Sequence, residues 1–171
     1  MIEQPSSDLA EPKSKTVLIV DDDESVLNLL EILIRRDGFK IDLATTGEQA
    51  MSRLKRKPDA MVLDLMLPGS TSGFQVLKLL RQTPGPVPPV IVVTAYAHAK
   101  EVQEVQKDPN VLLFLAKPIN QNKLLGALHR VLRTRSPHAL QEGGDGEGQR
   151  QAEEKPQDKP KTQEGEKKPQ V

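Results

Sequence analysis

Short apolar runs alternate with amphipathic segments along the middle of the chain. Most of the runs contain no polar position, which is typical of strands in a parallel sheet that is covered by helices on both faces. One run, at residues 39–44, is weaker because polar residues interrupt it. The pattern predicts five strands, with runs at 17–20, 39–44, 61–63, 90–93 and 111–116.

Apolar residues at helical spacing follow each run. Residues 26, 29, 30 and 33 are aliphatic, and this spacing predicts a helix from about Glu24 to Arg36. Gly38 follows, where a left-handed C-terminal cap is expected. Further helices are predicted around residues 50–54, 76–80, 102–105 and 124–132. The repeated order predicts the α/β class, with a doubly wound, five-stranded parallel sheet and right-handed crossovers.

Both ends of the chain have a composition that is unsuited to folding. Residues 1–14 are polar and show no periodicity, and residues 136–171 are rich in Gln, Glu, Lys, Gly and Pro. Such segments bury too little apolar surface to offset the entropy of ordering. We therefore expect a disordered leader at 1–14, one folded domain at 15–135 and a disordered tail at 136–171.

Composition excludes several classes of function. The chain has no Cys, which rules out disulfides, thiolate metal sites and a cysteine nucleophile. Its 24 basic residues balance 24 acidic ones and aromatic residues make up 2%, which argues against a nucleic-acid partner. No apolar run is long enough to span a membrane, and the first residues do not resemble a secretory signal. A cytoplasmic protein is the expectation.

Charged and hydroxyl side chains follow four of the predicted strands. Asp21 and Asp22 follow the first run, Asp64 the third, Thr94 the fourth and Lys117 the fifth. Ligands of parallel α/β sheets bind beyond this edge, so these side chains are expected to line one cleft. Crowded carboxylates repel each other unless a cation intervenes, and oxygen ligands favour Mg²⁺. With the ammonium and hydroxyl groups, the set suits a phosphoryl group.

Other polar residues have structural explanations. Asp23 and Glu24 stand where a helix N-terminus is expected, and acids there cap the helix or interact with its dipole. His129 lies on the fifth predicted helix and is expected on its solvated face. The three His residues show no metal-ligand spacing, so no metal role is assigned to them.

The ordered set of strand ends resembles the receiver domain of bacterial response regulators in two-component systems, over about residues 15–135. The segments that carry the resemblance are VLIVDDDE, MVLDLMLP, VVTA and FLAKP. It implies a flavodoxin-like (βα)5 fold, Mg²⁺ or Mn²⁺ as cofactor, and a histidine kinase or histidine phosphotransfer protein as phosphoryl donor. It also implies signalling to an unknown downstream protein. Such a protein is not an enzyme, because it catalyses only its own phosphorylation and dephosphorylation.

The resemblance implies a role for each matched position. Asp64 would be the phospho-acceptor, with Asp22 and Asp64 binding the metal directly and Asp21 binding it through water. The backbone carbonyl of Met66 would complete the protein ligands. Lys117 would pair with a phosphoryl oxygen, and its peptide bond to Pro118 would be cis.

Further implied roles concern signalling and access to the site. Thr94 would hydrogen-bond the phosphoryl group, and Phe114 would turn into the space that Thr94 vacates. Ala95 would leave room for phosphate to enter. Tyr96 is bulky, and we expect it to shield the acyl phosphate from water. The segment from Asp64 to Gly73 is one residue longer than the usual spacing in this family and carries a Gly-Ser-Thr-Ser run.

Two alternative functions remain at this point. Asp21 and Asp23 have the spacing of the nucleophile and acid in haloacid-dehalogenase phosphatases, but no acidic residue follows Lys117 before Glu142 to complete that site. The other alternative is a receiver-like binding module that takes no phosphoryl group. An Asp64→Asn substitution that changed no partner interaction would favour the binding module.

Overall fold

The computed structural model describes residues 9–95 and 100–136 of the chain. A 3₁₀ helix at Pro12–Ser14 precedes five strands that alternate with five α-helices. Within these ranges the elements are β1 Thr16–Val20, α1 Glu24–Arg36, β2 Lys40–Ala44, α2 Gly47–Leu54, β3 Ala60–Leu63, α3 Gly73–Gln82, β4 Val90–Thr94, α4 Lys100–Gln106, β5 Val111–Ala116 and α5 Gln121–Leu132. The predicted α/β order is confirmed. None of these helices is both long and apolar enough to cross a membrane.

All five strands belong to one parallel sheet, in the order β2-β1-β3-β4-β5. The strand order reverses beside β1, and the carboxyl ends of β1 and β3 therefore meet at the position where open α/β sheets bind ligands. Val20 pairs with Leu63, so the residues that follow these two strands emerge side by side. Thr94 pairs with Ala116 in the same way.

The core consists of one apolar layer on each face of the sheet. Leu18 and Val20 pack in the layer that includes residues of α2, α3 and α4, whereas Val17 and Ile19 pack in the layer that includes residues of α1 and α5. Successive strand side chains point to opposite faces, so a strand that is covered on both sides needs an apolar residue at every position. This requirement explains the unbroken apolar runs of the central strands.

The edge strands depart from this pattern. β2 lies at one edge of the sheet and pairs with a neighbouring strand on one side only, and its Lys40 is exposed. On β5, the other edge, Leu112 is 52% exposed although its run is wholly apolar. The weak apolar signal of residues 39–44 therefore follows from the position of β2 in the sheet.

The leader has structure from residue 10 onward. Ala10 forms a parallel bridge with Thr134, in which the Ala10 N–H donates to the Arg133 carbonyl and the Arg135 N–H donates to the Ala10 carbonyl. Pro12 is buried beside Gly38. The prediction of disorder as far as residue 14 is therefore wrong for residues 10–14, because Ala10 bonds to the chain that leaves α5 and residues 12–14 form a 3₁₀ helix of their own. Residues 1–8 and 137–171 of the predicted tails lie outside the described residues.

His129 is buried, which corrects its predicted position on a solvated helix face. Its Nδ1 lies 2.7 Å from the Thr134 hydroxyl and its Nε2 lies 2.6 Å from Asp37 Oδ2. The ring also packs against Phe39, with centroids 4.9 Å apart. The partner carboxylate stands at the end of α1, far away in the sequence, so helical spacing alone could not reveal it.

We expect Asp37→Ala to lower the free energy of unfolding by about 2 kcal/mol, because the buried His129 would lose a hydrogen-bond partner. Urea unfolding followed by circular dichroism measures the change. Glu31→Ala is the matched control, since its exposed pair with Arg35 is expected to contribute less than about 1 kcal/mol. Equal, small losses in the two variants would contradict a stabilising role for the buried pair.

Candidate functional site

Three carboxylates converge at the carboxyl ends of β1 and β3. Asp21 and Asp22 follow β1, and Asp64 follows β3. One oxygen from each lies within 4.8 Å of the others. Asp21 and Asp64 are 1% and 5% exposed, whereas Asp22 is exposed to solvent. The fold thus brings together the three acids that the sequence predicted at this edge.

Lys117 bridges the two buried acids. Its Nζ lies 2.8 Å from Asp21 Oδ2 and 2.6 Å from Asp64 Oδ2. The residue follows β5, and its backbone N–H donates to the Thr94 carbonyl across the ends of β4 and β5. The Lys117–Pro118 peptide bond is cis, as expected. A single ammonium group therefore offsets the repulsion between two carboxylates that the sheet forces together.

Burial and charge act in opposite directions on these groups. Burial raises the pKa of Asp21 above its ordinary value, although hydrogen bonds from Lys117 and the Asp23 backbone oppose the rise. Burial alone would lower the pKa of Lys117. Its hydrogen bonds to Asp21 and Asp64 outweigh that effect, so the pKa of Lys117 is raised and its ammonium form is favoured.

Backbone N–H groups hold the other oxygens of the two buried acids. The Met66 N–H donates to Asp64 Oδ1 at 3.0 Å, and the Asp23 N–H donates to Asp21 Oδ1 at 3.1 Å. Each carboxylate is thus fixed at both oxygens, by Lys117 on one and by the backbone on the other. The side chain of Met66 is 49% exposed at the mouth of the site.

Asp23 serves as the N-cap of α1. Its Oδ1 accepts hydrogen bonds from the backbone N–H groups of Ser25 and Val26, at 2.8 and 3.3 Å. These bonds lower the pKa of Asp23. The predicted capping role is confirmed, and Glu24 begins the same helix as expected.

The two predicted switch residues lie on neighbouring strands. Thr94 is fully buried at the end of β4, on the same edge of the sheet as the carboxylates. Phe114 is partly buried on β5, pairs with Val92 and packs against the apolar layer that faces α2 and α3. Ala95 is exposed directly after β4. Tyr96, with its predicted shielding role, lies outside the described residues.

Gly73 contributes to the site in a way that the sequence reasoning missed. A Cβ at this residue would lie 2.1 Å from the carbonyl oxygen of Asp64, so only glycine allows α3 to begin this close to the candidate acceptor. The Gly73 N–H also donates to the Leu65 carbonyl at 3.0 Å. The signal available in the sequence was a glycine directly after Ser72, which forms a capping box with Gln75.

Comparison with known proteins decides the family. Residues 17–129 match the family model for the response regulator receiver domain. The chain belongs to this family. The receiver domain is 36% identical over 118 residues to the transcriptional regulatory protein CpxR of Escherichia coli K12, an alignment that covers 68% of this chain and 49% of CpxR. The chain thus spans about half the length of the curated relatives it matches.

Solved structures resemble the receiver domain in fold as well. A CheY-like receiver domain protein from Methanospirillum hungatei superposes with a TM-score of 0.61 at 25% identity, covering 69% of this chain and 93% of the other. The receiver domain of the sensor histidine kinase PA1611 from Pseudomonas aeruginosa gives a TM-score of 0.61 at 26% identity, covering 69% and 97%. That second structure has a magnesium ion coordinated in its active-site cleft.

The family assignment also bears on the phosphatase alternative. A phosphatase of this type would need Asp23 as an acid beside the nucleophile Asp21, but the Asp23 carboxylate caps α1. This alternative also leaves Asp64 without a role, although Lys117 contacts Asp64 as well as Asp21. The receiver family and this geometry together argue against a haloacid-dehalogenase-type phosphatase.

We expect Asp21→Asn to raise the thermal unfolding midpoint at neutral pH in the presence of a chelator. The pKa of Asp21 is raised in the folded protein, so its ionised form favours unfolding, and stability decreases as the pH rises through that pKa. The amide removes this dependence. Asp42→Asn is the control, because Asp42 pairs with Arg53 and Arg56 away from the site. A lower midpoint for Asp21→Asn than for the wild type would contradict the argument.

Proposed function

We propose that this receiver domain accepts a phosphoryl group on Asp64 from a phosphohistidine and signals by a change in its protein contacts. The observation that carries the proposal is the buried Asp64 carboxylate, held between the Lys117 ammonium and the Met66 N–H beside two more acids. The donor would be a histidine kinase or a histidine phosphotransfer protein, and the setting the cytoplasm. The downstream protein would be one that binds the phosphorylated form of this domain more tightly than the unphosphorylated form.

The proposed transfer is a substitution at phosphorus. An Asp64 oxygen forms the new P–O bond while the P–N bond to the donor imidazole breaks, and the electron pair of that bond returns to the ring nitrogen. The product is an aspartyl phosphate, which is a mixed anhydride. Water reverses the state by attack at phosphorus, which breaks the same P–O bond and releases inorganic phosphate. The domain acts only on itself in these reactions and is not an enzyme for other substrates.

The main barrier to transfer is the repulsion between two anions, the Asp64 carboxylate and the incoming phosphoryl group. We propose that Lys117 and the backbone lower this barrier. The ammonium group already contacts Asp64 Oδ2, and we propose that it moves onto a phosphoryl oxygen during transfer. The Met66 N–H keeps the acceptor carboxylate in one orientation, and orientation supplies much of the acceleration in phosphoryl transfer.

The Thr94 hydroxyl is proposed to donate to the phosphoryl group once it is in place. Phosphorylation adds about one to two negative charges at the sheet edge, and this charge attracts the hydroxyl. Phe114 then turns toward the space that Thr94 leaves, which repacks β5 and the helices beside it. The change reaches a partner because phosphorylated and unphosphorylated packing make different contacts.

The donor set of the site fits Mg²⁺ or Mn²⁺. All the ligands are oxygens, and within the described residues three clustered carboxylates face a single bridging ammonium, which leaves a negative charge to be balanced. Asp22 and Asp64 would hold the ion directly, Asp21 through water, and Met66 by its carbonyl. When bound, the ion neutralises charge on the phosphoryl oxygens. The magnesium ion in the cleft of the Pseudomonas receiver domain supports this proposal.

We expect incubation with a small phosphodonor and Mg²⁺ to add one phosphoryl group to the wild-type chain. Intact mass spectrometry measures the product, and a chelator should abolish it. Asp64→Asn should show no addition, whereas Asp42→Asn, a half-buried carboxylate away from the site that is replaced in the same way, should behave as the wild type. Addition to Asp64→Asn at the wild-type rate would contradict the assignment of the acceptor.

The same samples separate the proposal from the alternative of a receiver-like binding module. A module that takes no phosphoryl group would show the same mass with and without the donor. Its partner interactions would also be unaffected by Asp64→Asn under phosphorylating conditions. Either of these two results would favour the binding module over the proposed function.

We expect Mg²⁺ to raise the thermal unfolding midpoint of the wild-type chain, because a ligand that binds only the folded state stabilises it. At a concentration one hundredfold above the dissociation constant, the stabilisation is about 2.7 kcal/mol. Asp22→Asn should reduce the effect because it removes an exposed ligand without disturbing the core. Asp59→Asn is the control, since its carboxylate pairs with Lys15 at the opposite end of the strands. An equal Mg²⁺ response in all three proteins would contradict the metal site.

A further inference from the structure

The loop between β3 and α3 is bound at its outer half to the first turn of α2. The Ser70 hydroxyl donates to Glu48 Oε1 at 2.6 Å. This bond, the N–H of Glu48 itself and the Thr71 hydroxyl together lower the pKa of Glu48 to about 2. Glu48 is therefore an ionised acceptor near neutral pH, and charge-assisted hydrogen bonds of this kind are stronger than neutral ones.

Two glycines allow the loop to approach α2 this closely. A Cβ at Gly47 would lie 2.0 Å from the Thr71 carbonyl oxygen, so any side chain there would push the loop away. Gly69 has φ +95°, a conformation that L side chains rarely adopt, and it faces the Glu48 carboxylate. The contact between loop and helix therefore depends on the backbone as well as on the hydrogen bonds.

The inner half of the same loop orients the candidate acceptor. The Met66 N–H holds Asp64 Oδ1, and Leu65 and Leu67 are buried on either side of it. Beyond Leu67 the loop turns outward through Pro68 to the segment that contacts Glu48. A shift of the segment that contacts Glu48 would therefore move the nearby backbone. It would displace the Met66 N–H, which fixes the Asp64 carboxylate.

We propose that Glu48 is a positioning residue for phosphoryl acceptance, which it serves by holding the β3–α3 loop against α2. The inference rests on the proposed function of Asp64. Glu48 touches no reacting atom and acts through Ser70 and the loop backbone on Met66.

The test compares Glu48→Ala, Glu48→Gln and Ser70→Ala with the control Glu31→Ala, which removes a partly exposed carboxylate from an ion pair on α1. The rate of Asp64 phosphorylation by a small phosphodonor is measured over a range of Mg²⁺ concentrations. We expect the Mg²⁺ concentration for half-maximal rate to rise about 10-fold in Glu48→Ala, as for other residues that orient a metal ligand. Ser70→Ala should show a smaller rise, Glu48→Gln a partial rescue, and Glu31→Ala no change.

Thermal unfolding of the same proteins distinguishes positioning from a purely structural role. A structural role would lower the midpoint and leave the Mg²⁺ dependence unchanged, and that result would overturn the proposal. Should Glu48→Ala fail to fold, Ser70→Ala decides the question, since it removes the 2.6 Å hydrogen bond to Glu48 while it keeps the carboxylate. Wild-type Mg²⁺ dependence in Ser70→Ala would contradict the proposal.

A readout that does not need phosphorylation keeps this inference separate from the proposed function. The backbone amide resonance of Met66 in the metal-free protein should shift in Glu48→Ala and Ser70→Ala but not in Glu31→Ala. If the wild-type chain took no phosphoryl group, the proposed function would be wrong. The Met66 resonance would still show whether Glu48 positions the loop, and an unchanged resonance would contradict that role.

Discussion

Electrostatic repulsion at one edge of the sheet is the constraint on which this structure depends. Parallel strands with the order β2-β1-β3-β4-β5 bring Asp21 and Asp64 together in a buried place, where neither can be solvated as a free carboxylate. Lys117 makes the arrangement tolerable, because its ammonium contacts both acids. The fold thereby keeps a reactive set of charges in close contact while it leaves Asp22 open to solvent.

The apolar pattern predicts this architecture well where burial is complete. The runs of β1, β3 and β4 are covered on both faces, so each position had to be apolar and the strands were easy to recognise. Strand-end residues could be placed as well, because parallel strands align their carboxyl ends along one edge. The weak signal of β2 has the opposite cause, since an edge strand with exposed positions carries polar residues such as Lys40 and Asp42.

Features that depend on contacts between distant segments could not be read in the same way. In the sequence His129 looks like an ordinary polar residue on a helix. Its partner Asp37 lies at the end of α1, 92 residues earlier in the chain, and only the fold brings the two together. The position of Ala10 likewise depends on a bridge to Thr134, more than 100 residues later in the chain. At the site, Gly73 and the contact of Glu48 with Ser70 depend on how closely two elements approach, and sequence spacing does not encode that distance.

The bridge between Ala10 and Thr134 fastens the chain before β1 to the chain after α5. Since α5 runs opposite to the strands, this fastening lies at the end of the sheet away from Asp21, Asp64 and Lys117. The first and last described segments of the domain therefore hold each other without contributing to the carboxylate cleft. A rearrangement at the cleft leaves this seam intact, so the closure of the domain and the chemistry of its site rest on separate contacts.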